Sequence, residues 1–151
     1  MAAADFVVLL VEDDPDDVFF LENAFEQTGM AGALRVARDG QEAVSYLLGQ
    51  DAFADRRLYP RPSVVLLDLK LPRKSGLEVL QWRQGQPSLK SLPVVVLTSS
   101  QSNSDIAKAY ELGANSYLVK PIDSQAQLEM VKAIRLYWIG LNKVPDLDTG
   151  R

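Results

Sequence analysis

The 151-residue chain contains neither cysteine nor histidine. Without cysteine there are no disulfides, no thiolate metal ligands and no thiol nucleophile. Without histidine there are no imidazole ligands, no Ser-His catalysis and no phosphohistidine carrier role. Any metal must be held by oxygen, which favours Mg²⁺, Mn²⁺ or Ca²⁺. Positive charge is in deficit, 16 Lys and Arg against 20 Asp and Glu for a net charge of −4, so non-specific nucleic-acid binding is disfavoured. No apolar run approaches the ~20 residues that span a bilayer. Met1 to Asp5 carries no basic region and no signal-like apolar core. The expected setting is the cytoplasm, with neither nucleic acid nor membrane as partner.

What is present is one domain's worth of ordinary globular composition, 47% apolar and 24% charged, with room for a proper core. The chain turns around the stretch Val64-Val65-Leu66-Leu67-Asp68-Leu69-Lys70-Leu71-Pro72. The four apolar residues read as a strand buried on both faces, and Asp68 stands at its carboxyl end. Pro72 and Gly76 break the chain before a new helical pattern. Upstream, Phe6 to Val11 reads as strand one and stops at Glu12-Asp13-Asp14-Pro15-Asp16-Asp17. Asp14 before Pro15 is a helix-start signal, and Asp16 and Asp17 suit the first turn of a helix dipole. Those three are read as serving the helix start. Glu12 and Asp13 are not covered by that account, because they fall at the strand tip.

Helix one runs to about Thr28, with Val18, Leu21 and Phe25 on one face. Leu34 to Arg38 is a short strand, and Asp39-Gly40 caps helix two, whose inward face is Ala43, Val44, Leu47 and Leu48. The segment 49–63 is long for a connection of this kind and is expected to pack as an ordered loop. Helix three covers about 77–84, strand four Pro93 to Leu97 ending at Thr98, helix four about 104–112, strand five Ser116 to Val119 ending at Lys120-Pro121, and helix five about 124–141. The core is expected over about 6–141, with a polar, frayed tail over 142–151. Five strands alternating with five helices call for an α/β fold: a doubly wound parallel sheet with helices on both faces, flavodoxin-like in order 2-1-3-4-5. In that order strands one and three adjoin, so Glu12, Asp13 and Asp68 converge, with Thr98 and Lys120 on the other side of Asp68.

Three clustered acids repel one another unless a cation joins them. Mg²⁺ takes one or two carboxylates and keeps waters for a phosphate-bearing ligand. A lysine supplies a point charge suited to phosphoryl oxygens, and a threonine hydroxyl one hydrogen bond. Each residue alone has a bland reading as a turn or strand end. Five of them at one end of one sheet make the equipment of phosphoryl transfer, with an aspartate as nucleophile.

These motifs resemble the response-regulator receiver domain over about Phe6 to Leu141: Leu9-Leu10-Val11-Glu12-Asp13-Asp14, Leu66-Leu67-Asp68-Leu69, Leu71-Pro72 with Gly76, Val96-Leu97-Thr98-Ser99, and Gly113 through Lys120-Pro121. The resemblance implies that Asp68 accepts a phosphoryl group from a sensor histidine kinase. It implies that Asp13, Asp68 and the Lys70 carbonyl ligate Mg²⁺, with Glu12 acting largely through water. Thr98 and Lys120 would bind phosphoryl oxygens, Thr98 and Tyr117 would form the switch, and the Lys120-Pro121 bond would be cis. Lys70 stands where the family often carries a neutral residue; its side chain, and Ser100, are expected to alter the phosphoaspartate lifetime.

The long 49–63 loop and the aromatic end of helix five are similar to single-domain regulators that work with phytochromes. Beyond helix five there is too little chain for a DNA reader, so the expected output is protein contact or transfer to a histidine phosphotransfer protein. Helix five is apolar on several sides, through Leu128, Val131 and Ile134 but also Met130, Leu136 and Ile139. Two accounts fit: packing under the 49–63 loop, or a homodimer through helix five, which is the expectation adopted. Two rival functions are an Mg²⁺-dependent phosphatase with an Asp nucleophile, disfavoured by Lys70 where such enzymes carry a second Asp, and a non-phosphorylated scaffold, disfavoured by the intact five-residue set.

Overall fold

A computed structural model describes residues 6–145. Five short strands, β1 (Val8–Val11), β2 (Leu34–Ala37), β3 (Val64–Leu67), β4 (Val94–Thr98) and β5 (Ser116–Val119), alternate with α1 (Pro15–Gln27), α2 (Gly40–Leu48), α3 (Gly76–Gln84), α4 (Asn103–Glu111) and α5 (Ser124–Ile134). The sheet order is β2-β1-β3-β4-β5 and every pairing is parallel, as the alternation required. The central strands β1, β3 and β4 are buried throughout, whereas β2 and β5 at the edges are mostly half-exposed. That is why the central strands read as unbroken apolar runs and the edges as mixed ones.

Alternate strand residues feed two cores. Leu9, Val11, Val65, Leu67, Val94 and Val96 face α2, α3 and α4, while Val8, Leu10, Val64, Leu66, Val95 and Leu97 face α1 and α5. The expected start of α1 holds: Asp14 is its N-cap and accepts from the Asp16 N–H at 2.9 Å. The inward face of α2 needs correction. Tyr46 is fully buried, and Leu48 is 42% exposed. The Tyr46 hydroxyl donates to the Pro60 carbonyl at 2.8 Å, which lets an amphipathic ring enter the core with its polar tip satisfied.

The 49–63 loop is ordered, and its position bears on one of the two accounts of helix five. Phe53 and Tyr59 pack edge-on against each other at 5.2 Å and both meet Tyr46. Arg56 donates to the carbonyls of Tyr46, Leu47 and Tyr59, closing the end of α2. The loop therefore covers the α2 face and not α5, which packs on α1 across the sheet. The account of α5 lying beneath it is wrong. Helix five also does not run on unchanged: after Ile134 the residues Arg135–Leu141 wind as a wider π-type helix. Residues 146–151, most of the expected tail, lie outside those described. Among the described residues no helix is long and apolar enough to cross a membrane.

Candidate functional site

Register brings the acids together. Val11 pairs with Leu67, and Leu67 with Val96, so Glu12 and Asp68 leave the sheet side by side. Backbone hydrogen bonds keep them there: the Asp68 N–H donates to the Val11 carbonyl at 3.1 Å and the Glu12 N–H to the Ala37 carbonyl at 2.9 Å. Glu12 and Asp68 are buried and Asp13 is exposed; carboxylate oxygens of all three lie within 4.8 Å of one another. The turn after Asp68 is held by Gly76, whose N–H donates to the Leu69 carbonyl at 2.9 Å. A Cβ on Gly76 would overlap the Asp68 carbonyl and press on Leu69 Cα, so glycine is required by close approach rather than by φ.

From the other side, Thr98 ends β4 and is buried. Its carbonyl accepts from the Lys120 N–H at 2.8 Å, which sets the lysine at the same rim. The Lys120 ammonium then reaches Asp68 Oδ2 at 2.9 Å, Asp17 Oδ2 at 2.8 Å and Glu12 Oε1 at 2.5 Å. The Asp17 and Asp68 contacts are hydrogen bonds, and the Glu12 contact is a close ion pair to a buried oxygen. Burial raises the Glu12 pKa to about 7, against the lowering pull of Lys120 and with a further push from the Asp68 charge. Burial opposes the charged form of Lys120 too, yet Asp17, Glu12 and Asp68 together hold its pKa above the ordinary lysine value.

The five residues expected to meet, Glu12, Asp13, Asp68, Thr98 and Lys120, stand at one end of the sheet. Lys70 contributes a backbone N–H to Asp68 Oδ1 at 3.3 Å, and its side chain is exposed. Tyr117 is half-buried, and its hydroxyl donates to the Ser100 carbonyl at 3.0 Å; Ser100 Oγ in turn donates to Asp105 Oδ2 at 2.6 Å. Two expectations fail. The Lys120-Pro121 bond is trans, since no peptide bond among the described residues is cis. The trans preference of an X-Pro bond is only about 0.5–1 kcal/mol, so the dipeptide itself does not dictate the isomer, and here the trans bond already lets the ammonium reach the acids. And Asp17 is no mere dipole residue: it is a direct partner of Lys120. The signal was available, because Asp17 lies four residues before the buried Leu21 on the same inward helix face.

The donor set suits a hard divalent cation. Every available ligand is an oxygen, three carboxylates surround one point, and the buried Glu12 Oε1 has the Lys120 ammonium as its one close partner among the described residues. Such a cluster at strand tips fits a whole family of signalling proteins, and the family model described as the response regulator receiver domain matches residues 8–132. The chain belongs to that family. A receiver is a phosphoacceptor signalling module rather than a conventional enzyme, so the phosphatase reading is set aside. This receiver is 40% identical over 140 residues to the probable methanogenesis regulatory protein FilR2 of Methanothrix harundinacea, covering 93% of this chain and 88% of that one. It matches the crystal structure of the Mn²⁺-bound response regulator Rcp1 with a TM-score of 0.82 at 36% identity, over 93% and 99% of the two chains. It matches the phosphorylated cyanobacterial phytochrome response regulator RcpA with a TM-score of 0.85 at 34% identity, over the same 93% and 99%. Its acidic cluster is the type of metal site receivers carry.

Proposed function

We propose that this receiver takes a phosphoryl group on Asp68 from a sensor histidine kinase, in a Mg²⁺-dependent reaction. The observation that carries the reading is the convergence of Glu12, Asp13, Asp68 and Lys120 at one end of the sheet. An Asp68 carboxylate oxygen attacks phosphorus, the bond from phosphorus to the donor's imidazole nitrogen breaks, and the electron pair leaves on that nitrogen. Asp13, Asp68 and the Lys70 carbonyl would hold the cation, with Glu12 through water. The cation, when bound, neutralises charge on the transferring oxygens. Lys120 and Thr98 donate to the same oxygens, Lys120 as a cation already at the rim of the site.

The switch runs through Tyr117. Its hydroxyl is bound to the Ser100 carbonyl, two residues past Thr98. When Thr98 is drawn toward a phosphoryl group, Ser100 moves with it and Tyr117 must change acceptor. That couples the site to β5 and α4 as a two-state element. The kinase is read as a phytochrome because similar structures of comparable length are named as phytochrome or bacteriophytochrome response regulators. Output is by protein contact or by transfer to a histidine phosphotransfer protein, in the cytoplasm, from a single receiver unit that pairs through α5. The test is incubation with acetyl phosphate and Mg²⁺ read by intact mass. One added phosphoryl group on the wild type, absent in Asp68→Asn and absent with chelator, is the expected result; equal labelling of Asp68→Asn overturns the reading.

A further inference from the structure

Lys120 has one more carboxylate than phosphoryl transfer requires. Asp68 and Glu12 belong to the cluster that suits a cation; Asp17, at 2.8 Å, does not. Asp17 comes from the first turn of α1, and its side chain is 32% exposed against 13% for Lys120. The ammonium's two hydrogen bonds go to Asp17 and Asp68, one inside the cluster and one outside it. In this arrangement the lysine neutralises two of the three carboxylates that a divalent cation needs.

A cation entering between Glu12, Asp13 and Asp68 brings like charge against the ammonium, and like charges at such range repel strongly. Lys120 cannot withdraw far. Its backbone is tied to Thr98, and the next residue's carbonyl accepts from Gln127 Nε2 at 3.2 Å. The cleft that Lys120 borders is walled by Leu21, Leu97, Pro121 and Met130, with Asp17 and Gln127 as its other polar lining, and an ammonium does not enter an apolar wall unpaired. The remaining move is a pivot toward Asp17. We propose that Asp17 is a positioning residue that takes over the Lys120 ammonium as the divalent cation arrives, so that cation and lysine act together on Asp68 and do not compete for it. The inference rests on the reading of the cluster as a cation site and of Asp68 as the acceptor.

The test is direct. Mg²⁺ is titrated calorimetrically into the full chain without a phosphodonor, for wild type, Asp17→Asn, Asp17→Glu and Asp16→Asn. Asp17→Asn weakens Mg²⁺ about tenfold, at the low end of what residues supporting metal ligands contribute, and Asp17→Glu, which restores the charge, recovers most of it. Asp16 is its exposed neighbour, so Asp16→Asn removes the same charge and leaves affinity within about twofold, the reach of a screened surface charge. In acetyl phosphate labelling, Asp17→Asn moves the half-saturating Mg²⁺ by the same factor, and the rate at saturating Mg²⁺ stays close to wild type. Unchanged or tighter Mg²⁺ binding by Asp17→Asn overturns the inference, as does equal weakening by Asp16→Asn. If wild type itself binds no Mg²⁺, the cation site fails and this inference with it; if wild type binds and Asp17→Asn binds equally, this inference alone fails.

Discussion

Glu12 is the residue on which burial and charge act most strongly against each other. Its carboxyl is 1% exposed, and its pKa is raised from 4.5 to about 7. Between those two values the folded chain binds a proton that the unfolded chain has already lost. Linkage then requires this group's contribution to stability to fall as pH rises through that window. The measurement is thermal melting of metal-free wild type against Glu12→Gln from pH 4.5 to pH 7.5. The variant gains on the wild type as pH rises and the gap flattens above about 7; a constant gap would show that the carboxyl ionises in the fold as it does in water. Because metal ligands bind deprotonated, Mg²⁺ affinity should rise over the same range, toward the limit of roughly tenfold per pH unit for one proton released. The position of Glu12 was readable from the strand tip. Its raised pKa was not, since that depends on which helices close over it.

Lys70 belongs to the same scale. Only its backbone meets Asp68, through the 3.3 Å hydrogen bond to Oδ1, while its side chain stands in solvent beside the acceptor. A mobile cation there can stabilise negative charge as water attacks the phosphoaspartate. Lys70→Asn is therefore expected to slow loss of the phosphoryl group about threefold, a modest electrostatic effect at an exposed site. The decay of phosphorylated protein after removal of the donor measures it, and an unchanged decay rate ends the idea.

Among the elements, the β3–α3 turn shows most directly how backbone packing serves the site. Gly76 opens α3 behind the Ser75–Glu78 capping box, and its missing Cβ makes room for the Asp68 carbonyl. Gly76→Ala forces that turn outward. Overpacking of this kind costs about 1–3 kcal/mol, which urea unfolding reads as a lower midpoint. Because the displaced atoms belong to the acceptor, the acetyl phosphate labelling rate should fall as well; lost stability with a normal rate would mean that the turn relaxes away from Asp68. The glycine was legible as a break in the chain, but its purpose was not, because the close approach joins residues eight apart in a loop without periodicity. The same limit explains Tyr46 and Leu48. Spacing named a face of α2, and the partner that settled which residue turns inward was the Pro60 carbonyl in the loop beyond. Asp17 was passed over for a related reason: a sufficient local explanation, the helix dipole, hid a long-range one.

At the scale of the whole molecule, strand order and the strand-tip cluster followed from alternation and apolar runs, since a doubly wound sheet leaves few alternatives. What covers each outer face did not follow. The 49–63 loop covers α2, leaving the far end of the chain's last helix uncovered. There Leu136 and Leu141 are 63% and 62% exposed and Tyr137 is also exposed; Tyr137 borders Ser116 and Leu118 of the half-exposed edge strand β5, and Leu136 borders Gln27 and Thr28 at the end of α1. Trp138 and Ile139 turn inward to the α1–α5 core, so the wider winding after Ile134 places two apolar residues inward and leaves three outward. Large apolar side chains grouped on one surface are unfavourable in water unless a partner covers them. A second copy offers the same surface, and a two-fold axis through it satisfies both at once. Sedimentation of the wild type at micromolar concentration is expected to give a dimer. Leu136→Glu with Leu141→Glu places like charges in the shared surface and should yield a monomer with unchanged helix content and unchanged acetyl phosphate labelling. A monomeric wild type, or a double variant that stays dimeric, would remove the α5 surface from consideration and turn attention to the exposed Phe19–Phe20 pair on α1.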